Sequence, residues 1–150
     1  TLIGWRSLKE EGSISKFNEK PFHKDARRFE IATTCIPLLA GLRCSLDLLE
    51  KEGDEEKRIK NIQNLSFKLW QGLNEIKGIK TILRGQPPAG LVSFSINNEI
   101  SENVLVNRLG NKKLWIRVLE DPIWLRACLH VTSTEEEIET LLEGIKSICF

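Results

Sequence analysis

"LWIRVLEDPIWLRACLH", residues 114–130, carries two arginines, two tryptophans and an apolar alternation on either side of one short connection. Alternation of period two marks strands with one buried face, so the stretch reads as a hairpin. Along Ile123–Val131 the odd positions are Ile, Leu, Ala, Leu and Val, a face expected to pack on helices. The even positions, Trp124, Arg126, Cys128 and His130, take the opposite face. On a partner strand expected over Lys113–Leu119, Leu114, Ile116 and Val118 turn inward, while Trp115, Arg117 and Leu119 turn outward. A four-residue loop, Glu120 to Ile123, then sets Arg117 opposite Arg126 and Leu119 opposite Trp124. Without a bulge, parity alone puts both arginines on one face.

Like charges directly opposed across strands are destabilising unless something offsets them. Two physical readings are open. A bound anion could lie between the arginines, since the planar guanidinium fork matches a carboxylate through two parallel hydrogen bonds. Alternatively the pair is internal, stacked on Trp115 and Trp124 or bridged to Glu120 and Asp121.

Outward from the hairpin, the flanks supply helices and a second strand pair. Thr134 and Glu137 form a T-x-x-E capping box for the helix "EEEIETLLEGIKSI". Upstream, "IKTILR", the turn "GQPPAG" and "LVSFSIN" read as two strands, and Ser101 is expected to cap a short helix, "ENVLVNRLG". Further back, "PLLAGLRCSLDLLEKEG" reads as a helix with Pro37 in its first turn and Gly53 as its stop. Its Leu38, Leu39, Leu42, Leu46 and Leu49 repeat at helical spacing. Asp54 caps a second helix whose Ile59, Ile62, Leu65, Leu69, Leu73 and Ile76 form one stripe, expected in the core. The order is ααββαββα: an α+β fold with a largely antiparallel sheet backed by helices. Residues 1–30 show no sustained period. Residues 1–35 are therefore expected to be an irregular arm lying on something outside this chain, and 36–150 a small domain.

Composition narrows the function. The chain has 150 residues, 41% hydrophobic and 29% charged, with a net charge of +1. Lys and Arg balance Asp and Glu in each half, so neither nucleic acid nor an anionic membrane surface is an expected partner. No apolar run spans a bilayer, and no signal-peptide pattern opens the chain. The four cysteines, at 35, 44, 128 and 149, have neither CxxC nor zinc-site spacing, which points to small buried thiols in a reducing, cytoplasmic compartment, with no metal. His130 shares the Arg126 face and His23 lies in the arm. Nothing pairs either with a nucleophile, so both read as structural. The absence of methionine and the start at Thr1 fit a piece of a longer protein.

Three stretches carry a resemblance: "RFEIATT…PLLAGLRCSLDLLEKEG", "PPAGLVSFSI" and "LWIRVLEDPIWLRACLHVTSTEEEIETLL". Together they resemble the C-terminal part of class V aminotransferase-type enzymes, which depend on pyridoxal phosphate. That group includes cysteine desulfurases, cyst(e)ine lyases and isopenicillin N epimerase-like proteins. The resemblance implies the small domain of a fold type I enzyme, homodimeric when intact, acting on an amino acid as a transferase or lyase. The large domain, with the cofactor and its Schiff-base lysine, is expected upstream of Thr1. This chain alone is then expected to bind no cofactor and to be inactive, with no catalytic residue of its own. The resemblance also implies that Arg126 binds the substrate carboxylate, that Arg117 is a second contact, and that Thr33 contacts the cofactor phosphate of the neighbouring subunit. Two features depart from the pattern. Persulfide-forming desulfurases carry a nucleophilic cysteine between the two hairpin strands, and "LEDPI" has none; Cys128 is expected to pack. The "YNT" that commonly precedes the last helix reads "TST" at 132–134. The lyase, epimerase or transaminase branches therefore fit better than a persulfide mechanism. The alternative is a free-standing α+β binding or scaffold module without a cofactor.

Overall fold

The computed structural model describes residues 4–9 and 22–149. The elements are α1 (Ile36–Lys51), α2 (Glu55–Asn74), β1 (Ile79–Thr81), β2 (Leu91–Ile96), α3 (Glu102–Asn111), β3 (Arg117–Glu120), β4 (Ile123–Cys128) and α4 (Glu135–Cys149). The order matches the ααββαββα reading. The chain forms two compact units, Thr1–Leu49 and Glu50–Phe150. No helix among the described residues is long and apolar enough to cross a membrane.

The second unit is a two-layer α+β fold. Its four strands lie in the order β1-β2-β4-β3, with every neighbouring pair antiparallel. One sheet face supplies Val92, Phe94, Leu125 and Ala127 to the core. Leu65, Leu69 and Leu73 of α2, Leu105 and Leu109 of α3, and Ile138, Leu141 and Ile145 of α4 cover it. Each helix contributes residues three or four apart, so one stripe faces the sheet and the other side meets water. Burying side chains of this size stabilises by about 1.5–3 kcal/mol each.

Local chemistry fixes where the helices begin and end. Asp54 accepts from the Lys57 N–H at 2.8 Å at the start of α2, as its sequence position predicts. Thr134 and Glu137 close the capping box of α4 with bonds of 3.2 and 3.0 Å. Ser101 stands at the N-cap of α3, but its side chain makes no capping bond. Gly53, at φ +111°, ends α1 in a conformation that side chains disfavour. Past α3, Leu114 N–H reaches back to Leu109 O and Lys113 N–H to Gly110 O, at 3.0 and 2.9 Å. This is a Schellman arrangement, and Lys113 takes its left-handed position at φ 63°.

The turn before β2 is pinned to α2. Buried Ser66 has its Oγ 2.8 Å from Ala89 O, and Gln63 Nε2 donates to Pro88 O at 2.9 Å. Leu129 N–H then donates to Gly90 O at 2.7 Å, which starts the β2–β4 ladder. A Cβ on Gly90 would collide with the Leu129 carbonyl, so only glycine fits that approach.

Several sequence expectations are corrected. Strands β3 and β4 are shorter than the spans 113–119 and 123–131, and Trp115 and Ile116 precede the ladder. Because Glu120 pairs with Ile123, the connection is two residues, Asp121 and Pro122, rather than four. Ile123, assigned to the core face, is 59% exposed because it sits at the hairpin tip. Ile59, at the start of the α2 stripe, is exposed as well.

In the first unit, short 3-10 turns at Trp5–Ser7 and Ala26–Phe29 and a bridge between Leu8 and Phe22 give the expected arm some local order. Residues 1–3 and 10–21 of that arm lie outside the described residues. Asp25 caps the second turn, and its hydrogen bonds with Arg27 hold its carboxyl far below the usual carboxylate range. The α1 leucines expected at helical spacing, Leu38, Leu39, Leu42 and Leu46, are all exposed.

Candidate functional site

The outer sheet face carries the candidate site. In the β3–β4 ladder Arg117 is the Cα partner of Arg126, and Leu119 of Trp124, which is the register predicted from the sequence. On the other side, β2 places Ser93 as the partner of Arg126 and Leu91 as the partner of Cys128. One row across the sheet therefore reads Ser93, Arg126, Arg117.

The ladder's hydrogen-bond phase makes these two neighbours unequal. The Leu129–Gly90 bond fixes the phase of β2–β4, so Ser93–Arg126 is a non-hydrogen-bonded pair. Its backbones approach to about 4.5 Å between Cα atoms, whereas the Arg117–Arg126 pair is wider, about 5.5 Å. Ser93 is thus the nearer polar neighbour of Arg126.

The two arginines differ in environment. Arg117 is exposed, while Arg126 is half-buried between β2 and β3. The Arg126 Nε is fully shielded and has no hydrogen-bond partner among the described residues. A buried donor left unpaired costs about 1–3 kcal/mol, so it is normally satisfied by protein, water or ligand. Neither arginine forms an ion pair or ring stack with a described residue: Glu120, Asp121, Trp115 and Trp124 do not engage them. The internal reading of the pair is therefore not realised. Neither arginine lines the two apolar clefts beside Cys128, of about 250 and 380 Å³.

The remaining candidates are placed as follows. Thr33 lies in the first unit, exposed, three residues before α1. Cys128 is exposed rather than buried, and so are Cys35 and Cys44; only Cys149 is partly covered. Cys128 takes the outer face by strand parity, and the other two lie at or within α1, whose surface is exposed. All four thiols are free. His130 sits in a local turn, its Nδ1 3.2 Å from Thr132 Oγ1 and its backbone N–H donating to Ser133 Oγ at 3.0 Å. The backbone N–H of His23 donates to Ser7 O at 3.1 Å. Ser93 is not among the residues the sequence singles out: the alternation of "LVSFSI" is the signal for its outward face, and its pairing with Arg126 depends on the strand order, which sequence does not supply.

The sequence matches the family described as aminotransferase class-V over residues 7–141. The chain belongs to that family. No curated protein matches it. Among solved structures it is similar to the cystine C-S lyase C-DES in complex with its reaction product cysteine persulfide. Identity is 34%, the TM-score is 0.81, and the match covers 97% of this chain and 38% of that one. A C-DES K223A mutant with glycine covalently linked to its PLP cofactor matches equally, at 34% identity and TM-score 0.81. The Escherichia coli cysteine desulfurase CsdA shares the fold at 15% identity and TM-score 0.75, over 97% of this chain and 37% of that one. The Thermococcus onnurineus desulfurase does so at 22% and 0.72, over 99% and 38%. The chain thus spans somewhat over a third of the length of these proteins.

Proposed function

We propose that this chain is the substrate-carboxylate-binding portion of a pyridoxal-phosphate-dependent C–S lyase acting on cystine or a closely related amino acid. The observation that carries the reading is the Arg117–Arg126 pair, aligned on one face with the Arg126 Nε buried and unpartnered. An amino-acid carboxylate supplies what that arrangement lacks: negative charge between two cations, and acceptors for a planar donor fork. Arg126 is the main bidentate contact, and Arg117, more exposed, is a second contact or guide.

Similarity to a cystine C-S lyase at 34% identity supports the lyase branch, as does the connection Asp121-Pro122, which offers no cysteine to receive sulfur. The large domain, contributed by sequence beyond this chain, holds the cofactor and its lysine, and the intact enzyme is a cytoplasmic homodimer. Thr33, exposed three residues before α1, carries a hydroxyl able to donate to a phosphate oxygen and is assigned to the cofactor phosphate of the neighbouring subunit. When bound, pyridoxal phosphate supplies the electron sink that lets a bond at the amino acid's reacting carbons break. The residues of this chain bind and orient: Arg126 fixes the carboxylate, and with it the direction in which the rest of the amino acid points.

The test uses the full-length enzyme loaded with pyridoxal phosphate and L-cystine. One cystine and one water should yield one cysteine persulfide, one pyruvate and one ammonia. Arg126→Ala should suppress this turnover. Sulfur accumulating covalently on the protein during turnover, or activity indifferent to Arg126, would overturn the reading.

A further inference from the structure

We propose that Ser93 is a third member of the carboxylate site, its hydroxyl donating to the carboxylate held by Arg126. This rests on the carboxylate reading above and extends it to a strand not implicated by the arginines.

The placement comes from the sheet itself. Ser93 is the direct Cα partner of Arg126, in the closer, non-hydrogen-bonded type of pair. Its backbone groups face β1, where Ile82 N–H donates to Ser93 O at 2.9 Å, so only the side chain is directed to the outer face. That side chain is half-buried, and its hydroxyl makes no hydrogen bond to a described residue. Its cross-strand partner Arg126 carries a shielded Nε that has no hydrogen-bond partner among the described residues. Two donors from paired residues, one cationic and one neutral, thus stand on one row of the sheet without acceptors among the described residues.

A single carboxylate answers both. Its two oxygens offer about four acceptor directions, enough for the Arg126 fork and one hydroxyl. A serine hydroxyl rotates freely about Cβ–Oγ, so its proton can follow the ligand without moving the strand. Ser95, two residues along β2, shares the face but lies one row away from the arginines, paired to Lys80 of β1. It is the natural control: same strand, same face, same chemistry, different row.

The experiment uses the full-length holoenzyme and two readouts, KM and kcat for L-cystine and the inhibition constant of propionate, a carboxylate without an amino group. Ser93→Ala should raise both KM and the propionate constant roughly three- to tenfold, with kcat and melting temperature little changed. Ser93→Thr, which keeps the hydroxyl and suits a strand, should restore most of the loss. Ser95→Ala should do nothing. If Ser93→Ala leaves both constants unchanged while Arg126→Ala raises them, Ser93 is idle and the clamp stands without it. If Arg126→Ala changes neither constant, the carboxylate reading fails and takes this proposal with it. A fall in melting temperature for Ser93→Ala, not rescued by threonine, would make Ser93 a packing residue and overturn the proposal.

Discussion

Arg117 and Arg126 are direct partners in the β3–β4 ladder, and no acidic side chain among the described residues forms an ion pair with either of them. Two cations opposed without a counterion among the described residues keep their charge available. In the full-length enzyme, Arg126→Ala should lower kcat/KM by about ten- to a hundredfold or more, since charge-assisted bonds contribute about 1.5–3 kcal/mol each. Arg126→Lys should recover only part, because an ammonium cannot reproduce the fork. Melting temperature, measured on the same samples, should hold or rise. A collapse of stability together with activity would mark Arg126 as structural.

Removing the exposed partner separates repulsion from binding. Arg117→Ala should leave most of kcat/KM intact while raising stability by a few tenths of a kcal/mol, the scale of an unfavourable cross-strand pair. The gain should shrink in high salt, where exposed charges are screened. Thermal melts of wild type and variant in low and high salt read this directly. A stability difference indifferent to salt would attribute the change to something other than charge.

Lys113 occupies a left-handed position that glycine adopts without strain. Lys113→Gly should therefore stabilise the protein by about 0.5–1 kcal/mol, despite the extra freedom glycine gives the unfolded chain. Denaturant midpoints should shift upward with an unchanged slope.

Gly90→Ala should act in the opposite direction. Its methyl group would meet the Leu129 carbonyl oxygen, whose residue also donates to Gly90 O. Separating those backbones costs roughly 1–3 kcal/mol and disturbs the β2–β4 ladder at its first pair. Because β2 presents Ser93 to Arg126, carboxylate affinity should fall along with stability.

Burial pushes the Cys149 thiol up from its ordinary value of 9.0. Of the four cysteines it should be alkylated most slowly, well behind exposed Cys128. The linkage has a definite sign. Above pH 9 the unfolded chain releases this proton before the folded one does, so the stability this group contributes is present below that pH and lost as pH rises. Cys149→Ser should flatten that alkaline decline, as followed by melting temperature against pH.

The hairpin was legible because parity is a strong constraint: once Ile123–Cys128 alternates, a one-residue slip would expose Leu125 and Ala127 and bury Arg126. The two caps legible at Asp54 and Thr134 are local chemistry and needed no tertiary information. The strand order β1-β2-β4-β3 was not legible, because pairing between Val92 and Ala127 is a long-range choice that no local pattern encodes. For that reason the pairing of Ser93 with Arg126 is not encoded in any local pattern. Strand ends are illegible for a related reason: Leu114 and Ile116 keep their apolar period and pack on the core, yet lie before the ladder begins. The α1 leucines follow helical spacing in sequence, which reports amphipathicity but not what covers the face.

The two-residue link at Asp121-Pro122 closes a hairpin whose register is already held by four consecutive pairs, from Arg117↔Arg126 to Glu120↔Ile123. Lengthening such a link costs little, about 0.6 kcal/mol per doubling of loop length, and it pushes outward from the last pair. The tip of this hairpin is thus a grafting point. Residues can be added there, a nucleophile among them, while the arginines three pairs below keep their alignment. On the carboxylate reading proposed above, the sheet would separate two design problems, holding the substrate and choosing what happens to its sulfur, and let each change without resetting the other.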